Sequence, residues 1–330
     1  MGRLASLAEA LLTPHGVDRY LELVDPMLVR REIRGEVTGV RRTPRAVTLR
    51  VRPSRAWRGF TAGQHVRVTV EIDGVRRTRC YSPANSQYSD GLEFTIARDG
   101  LVSQYLYHQA KPGLVLGLSE PDGRFTLPER RPDRLLLISG GSGITPVLSM
   151  LRTLVDEGHR GEVVFLHYGR DVPYELSTLT RENVRVVDGH GLGGRFSAAH
   201  VEAVAPWHAE AAAYACGPVR LLDAVRDLLG EQVHTEQFTL EVGTGAAGGR
   251  VRFSRSGVEV GNSGHALLEQ AEAAGLRPEH GCRMGICFSC TQVKTRGTVR
   301  DARSGELSAE EDEEIQLCVS VPVGDVEINC

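Results

Sequence analysis

Three cysteines near the C-terminus, Cys282, Cys287 and Cys290, stand in the spacing C-x4-C-x2-C, and Cys318 follows after 27 intervening residues. No other feature constrains the fold so tightly, because a short loop and a distant element must deliver four thiols to one point. Gly281 and Gly285 flank this loop, and glycine allows positive φ and a close backbone approach to whatever the loop encloses. Structural zinc is a poorer fit, since zinc sites commonly join two short pairs and here the fourth cysteine stands alone. Disulfides fit less well still. Residues 1–16 lack the apolar core and cleavage site of a secretory signal, so the cytoplasm is the expected location, where thiols stay reduced.

The spacing is that of plant-type ferredoxins, in which four thiolates hold a [2Fe–2S] cluster and loop N–H groups tune it. This resemblance makes Cys282, Cys287, Cys290 and Cys318 the metal ligands and implies a β-grasp ferredoxin domain over residues 250–330. The segment is acidic within a nearly neutral protein. The whole chain carries −3, whereas Gly249–Cys330 holds 13 acidic against 9 basic side chains, which leaves one positive charge for the rest. That balance gives no case for nucleic-acid binding. The acids gather between Glu306 and Glu314. Ser308-x-x-Glu311 reads as a capping box opening a solvated helix; an acidic docking surface for a basic redox partner is the functional alternative.

No apolar run approaches the ~20 residues a membrane-spanning helix needs. Residues 1–32 read as a helical arm. Leu4, Leu7, Ala8, Leu11 and Leu12 fall at helical spacing, Pro14 and Gly16 break the run, and Tyr20, Leu21, Leu23 and Val24 form a second apolar set. Such an arm packs on its own protein or lies on a membrane surface, and the former is expected. Residues 33–130 change to short period-two runs rich in β-branched side chains, with Asp73-Gly74 as a hairpin turn and one helix near Val102–Ala110. A small antiparallel barrel is expected there.

From Leu135 apolar runs alternate with helical patterns to about residue 241, the grammar of a doubly wound parallel α/β domain. Strands are expected at Val163–His167, Val184–Val187, Ala211–Cys216 and Val233–Leu240. Residues 242–249 are small and uncharged, a linker. Beyond it a hairpin over Val251–Val260, a helix over Ala266–Ala274 and two strand pieces, Thr291–Lys294 and Thr298–Arg300, are expected. The first α/β strand runs into Gly140-Gly141-Ser142-Gly143-Ile144-Thr145-Pro146, where free N–H groups at a helix start favour a phosphate. Taken alone, that glycine run is equally a tight turn.

Four motifs in fixed order carry more weight than any one: Arg79-Cys80-Tyr81-Ser82, Gly100-Leu101-Val102-Ser103, Gly141-Ser142-Gly143-Ile144-Thr145-Pro146 and Cys216-Gly217-Pro218. They resemble R-x-Y-[ST], G-x-x-S, G-x-G-x-T-P and C-G-x of the ferredoxin–NADP reductase superfamily, and with the ferredoxin module the likeness covers nearly the whole chain. The domain order is similar to the phthalate dioxygenase reductase type. Leu12–Tyr20 and Arg76–Pro83 resemble actinobacterial reductases that feed membrane fatty-acyl desaturases. The likeness implies that Arg79 neutralises a flavin phosphate, Tyr81 stacks on the isoalloxazine, Ser82 bonds near its N5, and Val102 and Ser103 take its pyrophosphate. It implies that Gly141, Gly143, Thr145 and Gly217 shape the NAD(P)H site, with Cys216 near the nicotinamide C4 and Glu236 and Phe238 beside it. Cys80 and Cys330 match no family role and read as structural.

The flavin implied is FAD, with FMN open. Arg170 stands where a 2′-phosphate would sit, favouring NADPH over NADH. The scheme implied is NADPH to FAD to [2Fe–2S] to an oxygenase-type metal centre: a membrane desaturase first, a cytochrome P450 or Rieske oxygenase as alternatives. The chain is expected to act as a monomer, with peripheral contact to a membrane-bound partner. A cluster-based redox sensor without turnover, and an oxidase delivering electrons to oxygen, are the readings from other classes.

Overall fold

The computed structural model describes residues 17–30, 32–98, 100–169, 174–238, 245, 247–281, 283–285 and 288–330. The expected helix through Leu4–Leu12, Arg170, Cys282 and Cys287 therefore lie outside the described residues. The chain divides into two compact units, one reaching Arg76 and resuming over Cys80–Gln237, the other made of Arg77–Arg79 and Phe238–Cys330.

In the first unit β1 (Ile33–Arg42), β2 (Ala46–Pro53), β3 (Val66–Ile72), β4 (Val75–Tyr81), β5 (Leu92–Ala97) and β6 (Val115–Leu118) form one sheet in the order β4-β3-β6-β1-β2-β5. It is antiparallel at β1–β2, β1–β6, β2–β5 and β3–β6. Alternate residues of β5, Leu92, Phe94 and Ile96, are buried, which is why the period-two runs are strands: one face fills a core with Val37, Leu49 and Leu116. Asp73 and Gly74 both take positive φ, 52° and 75°, the twist a two-residue hairpin needs. Helix α2 (Leu101–Gln109) crosses between β5 and β6. The Arg42 guanidinium donates to its last carbonyls, Tyr107 O at 2.6 Å and Ala110 O at 2.5 Å, which satisfies the C-terminus and complements the helix dipole.

The same unit continues through β7 (Arg134–Gly140), α3 (Ile144–Asp156), β8 (Glu162–Tyr168), β9 (Val184–Asp188), α4 (Ala198–Val204), β10 (Ala212–Cys216), α5 (Val219–Leu229) and β11 (Val233–Glu236). The strands are all parallel in the order β11-β10-β7-β8-β9. Sequence order thus reverses direction between β7 and β10, the switch point outside which ligands bind in such sheets. Strand β11 is shorter than expected and ends at Glu236. Helix α3 is buried nearly all round. Its second buried face lies on the barrel: Ser149 Oγ donates to Asn85 O (2.7 Å), Arg152 to Ala84 O and Glu93 (both 2.8 Å), and Gln87 N to Thr153 Oγ1 (3.1 Å).

The second unit has β12 (Arg250–Phe253), β13 (Val258–Gly261), α6 (Leu267–Ala273), β14 (Thr291–Asp301), β15 (Leu307–Ser308), β16 (Glu313–Gln316) and β17 (Ser320–Ile328). Strands β12 and β17 pair in parallel between antiparallel neighbours, and α6 lies over the core they share: a β-grasp.

Two expectations need correction. The two pieces at Thr291–Lys294 and Thr298–Arg300 are one strand, β14, with irregular register on β17 between Lys294 and Arg296 and between Gly297 and Thr298. The acidic stretch is not a helix. Its last two residues, Glu313 and Glu314, open strand β16, antiparallel on β14, and the fully buried Lys294 ammonium pairs with Glu313 (3.3 Å) and donates to Gly297 O (3.1 Å) and Glu310 O. A buried cation must be neutralised, and that requirement overrides the capping-box signal. Helix α1 (Val17–Val24) forms as expected, and its Glu22 pairs with Arg34 of β1 (2.7 Å), while Leu23 and Val24 are 82 % and 80 % exposed.

Candidate functional site

On the barrel, β4 carries Arg79 and Tyr81, both half-buried, and leads into buried Ser82. Arg79 donates to the Thr78 carbonyl (2.8 Å). The Ser82 hydroxyl has no hydrogen-bond partner among the described residues although it is fully enclosed. An orphaned buried hydroxyl costs free energy, so the barrel fits a polar ligand atom there. At the start of α2, Val102 and Ser103 are both buried. Ser103 Oγ accepts from Gly100 N (2.7 Å) and donates to Gly100 O (2.9 Å). Its side chain is thereby spent on capping, and this end of α2 offers a ligand its backbone N–H groups.

At the carboxyl edge of the parallel sheet, β7 ends in a single 3-10 turn, Gly141–Gly143, that opens α3. Gly141 has φ +54° and lies exposed. Gly143 is needed for a different reason: a Cβ there would stand 2.4 Å from Cys216 O and 2.7 Å from Gly217 N. The two glycine turns pack backbone on backbone, one strand apart. Thr145 is buried, its hydroxyl directed at Ser142 O (3.4 Å). Beneath the turn Ser139 Oγ meets His167 Nδ1 at 2.8 Å, and burial pushes that imidazole down to about 4. Cys216 is fully buried, and burial followed by the neighbouring Glu236 raises its thiol well above the usual range. It remains a protonated, compact wall rather than a nucleophile.

Glu236 is the register partner of Cys216 across β10 and β11. Its Oε2 is enclosed with no partner among the described residues, while 18 % of the side chain remains exposed elsewhere. Burial raises the carboxyl from 4.5 to about 8. The folded chain therefore holds a proton that the unfolded chain releases between those values. The stability this group contributes is fully present below the lower value and is lost as pH rises through the upper one. Glu236→Gln is expected to melt with the native protein near pH ~5 and a few degrees above it near pH ~9. An equal difference at both pH values in thermal melts would contradict this. Phe238 follows two residues later and is half-buried.

Of the four cysteines expected to bind metal, Cys290 and Cys318 are described, each nearly inaccessible at 1 % and 4 % exposure, and neither forms a disulfide. Leu317 N donates to Cys290 O (3.2 Å), which draws the distant cysteine to the loop as the spacing requires. The loop backbone is unusual: Arg283 and Phe288 take positive φ, 59° and 56°, costly for side chains of that size and found where function over-determines the fold. Arg303, which sequence reasoning missed, donates to Gly285 O (2.6 Å) while paired with Asp301 (2.6 Å). Two buried thiols in one core, beside a loop with two strained residues, fit a cluster. His65, Lys294 and the exposed Phe288 were missed as well. Each reads as an ordinary strand or loop residue, and nothing local marks it.

Residues 36–127 match the family described as an oxidoreductase FAD-binding domain, 137–227 an oxidoreductase NAD-binding domain, and 251–323 a 2Fe-2S iron-sulfur cluster binding domain. An NADPH oxidoreductase of Mycobacterium tuberculosis is 35 % identical over 98 % of this chain and 90 % of its own. A glycine betaine monooxygenase reductase subunit of Pseudomonas aeruginosa is 30 % identical over 82 % and 87 %. Among solved structures, phthalate dioxygenase reductase, described as a modular structure for electron transfer from pyridine nucleotides to [2Fe–2S], superposes with a TM-score of 0.60 at 26 % identity, covering 90 % of this chain and 97 % of that one. With three domain matches in the order in which the structure arranges its sheets, the chain belongs to the ferredoxin-reductase-type oxidoreductases that join FAD-binding, NAD-binding and [2Fe–2S] domains in one polypeptide.

Proposed function

We propose that this protein takes electrons from NADPH and delivers them singly, through FAD and a [2Fe–2S] cluster, to the metal centre of an oxygenase-type partner. The observation that carries the reading is the presence of all three binding domains in one chain: a one-electron centre joined to a nucleotide site suits an acceptor that takes electrons one at a time. A bound flavin supplies the necessary chemistry, accepting two electrons together and releasing them singly. The chain's part is placement. Arg79 neutralises the flavin phosphate, Tyr81 covers the ring, the Ser82 hydroxyl meets its N5 edge, and the N–H groups at Val102 and Ser103 receive its pyrophosphate. Gly141, Gly143, Thr145 and Gly217 cradle the dinucleotide, with Arg170 toward a 2′-phosphate. Cys216, Glu236 and Phe238 bound the nicotinamide pocket, and a thiol kept protonated leaves it without a competing nucleophile. Cys282, Cys287, Cys290 and Cys318 hold the cluster.

The Pseudomonas aeruginosa relative is a reductase subunit of glycine betaine monooxygenase, which supports an oxygenase as acceptor. A membrane fatty-acyl desaturase is the partner favoured here. Exposed Leu23 and Val24 on α1 support a protein working at a membrane surface, and no helix among the described residues is long and apolar enough to cross one. The test supplies the purified protein and NADPH to a desaturase, a P450 and a Rieske oxygenase in turn and measures product. Desaturation well above the other two supports the narrow reading. Product only with a Rieske oxygenase or P450 overturns the desaturase and keeps the reductase. Iron and sulfide without NADPH-dependent dye reduction would leave a sensor.

A further inference from the structure

We propose that His65 is a positioning residue for pyridine-nucleotide binding: carried on the barrel, its imidazole aligns the Glu236 carboxyl so that Oε2 is presented to the nicotinamide carboxamide. The inference rests on the reading that the carboxyl edge of the parallel sheet receives the nicotinamide.

His65 Nδ1 lies 3.9 Å from Glu236 Oε1, and both side chains are largely buried, 11 % and 18 % exposed. The imidazole is held on the barrel side by backbone. His65 N donates to Asp122 O and Asp122 N to His65 O, both at 2.9 Å. Gly123, at φ +113°, leaves the ring its space, for a Cβ there would stand 3.1 Å from Nδ1. The approach to the strand is fixed by Gly63, at φ +101°, where a Cβ would fall 1.9 Å from Phe125 O. His65 therefore has little freedom to swing away from β11.

The pair is not an ion pair. Burial, together with Arg67, lowers the imidazole, against a smaller opposing effect of Asp122, and burial raises the carboxyl to about 8. Near neutrality a neutral imidazole faces a protonated acid across 3.9 Å, just beyond hydrogen-bond range, and a side-chain rotation of Glu236 would close the gap. Such a bond would engage Oε1 and leave Oε2, which is enclosed and without a partner among the described residues. With Oε1 taken by the imidazole, the protonated Oε2 is left to donate to the C=O of a primary carboxamide. Cys216, the other titratable group beside Glu236, keeps its proton and adds no charge.

The test is titration calorimetry on the flavin-loaded protein with two probes. One is the oxidised dinucleotide it prefers, NADP+ or NAD+. The other is the corresponding 2′-phospho-ADP-ribose or ADP-ribose, which lacks the nicotinamide. His65→Ala is expected to weaken the dinucleotide about 3- to 10-fold and to leave the fragment unchanged. Glu236→Ala should do the same, and in the Glu236→Ala background the His65 effect should vanish. His65→Asn, whose amide nitrogen can replace Nδ1, should recover most of the affinity. Equal weakening of dinucleotide and fragment by His65→Ala would show a merely structural role and overturn the proposal. Additive losses in the double variant would overturn it and leave the site reading standing. A Glu236→Ala variant that binds both probes as the native protein does would instead overturn the placement of the nicotinamide, and with it this inference.

Discussion

Gly143→Ala is expected to lose NAD(P)H binding by about 10- to 100-fold while the flavin and cluster stay loaded. The backbone there, φ −64°, suits any residue, so the effect is one of space alone. A methyl group would stand 2.4 Å from Cys216 O, 2.5 Å from its carbonyl carbon and 2.7 Å from Gly217 N. All three are backbone atoms at the end of β10 and cannot rotate away. Either the start of α3 or the Cys216–Gly217 turn must move, and both form the proposed cradle. Overpacking of this kind costs about 1–3 kcal/mol in stability, and the rigid neighbours put it at the upper end. Gly158→Ala, past the far end of α3, is the control: a Cβ there meets nothing within 4 Å, and only its φ of +63° opposes the change, a milder penalty. Nucleotide titration monitored by flavin absorbance reads both. Native affinity in Gly143→Ala would move the dinucleotide away from this turn.

Cys318→Ser is expected to remove the cluster and to reduce NADPH-dependent cytochrome c reduction by about two orders of magnitude, while ferricyanide reduction by the flavin persists. Cys318 and Cys290 belong to the core of the ferredoxin unit, beside Leu267, Val319 and Ile328, so the variant should also melt earlier. The comparison of the two acceptors separates the readings. An oxidase that passes electrons to oxygen would keep its turnover in Cys318→Ser and form peroxide in proportion to NADPH consumed.

How much of this could be read from the residues follows from how local each signal is. The Asp73-Gly74 turn and the glycine run after β7 are demands of single short segments, and both stand where expected. The two-residue periodicity of Leu92–Ala97 and the apolar runs of β7 and β8 give the sheets for the same reason: burial of one or both faces is written in consecutive residues. What failed to show depends on partners far along the chain. Lys294 reads as a surface charge until β16 brings Glu313 to it, and that pairing is also why the acids near Glu310 form no helix. His65 reads as one polar residue in a strand; only the packing of barrel on parallel sheet sets it beside Glu236. Arg303 is unremarkable in sequence, yet it holds the Gly285 carbonyl of the cluster loop.

The central claim is that electrons from NADPH reach the cluster only by way of the flavin. Anaerobic mixing with NADPH followed by low-temperature EPR tests it most directly, on the native protein and on protein stripped of flavin but retaining iron and sulfide. The account predicts the signal of a reduced [2Fe–2S] cluster in the native protein, none in the stripped protein, and its return when FAD is added back. A signal of equal size in the stripped protein would contradict it.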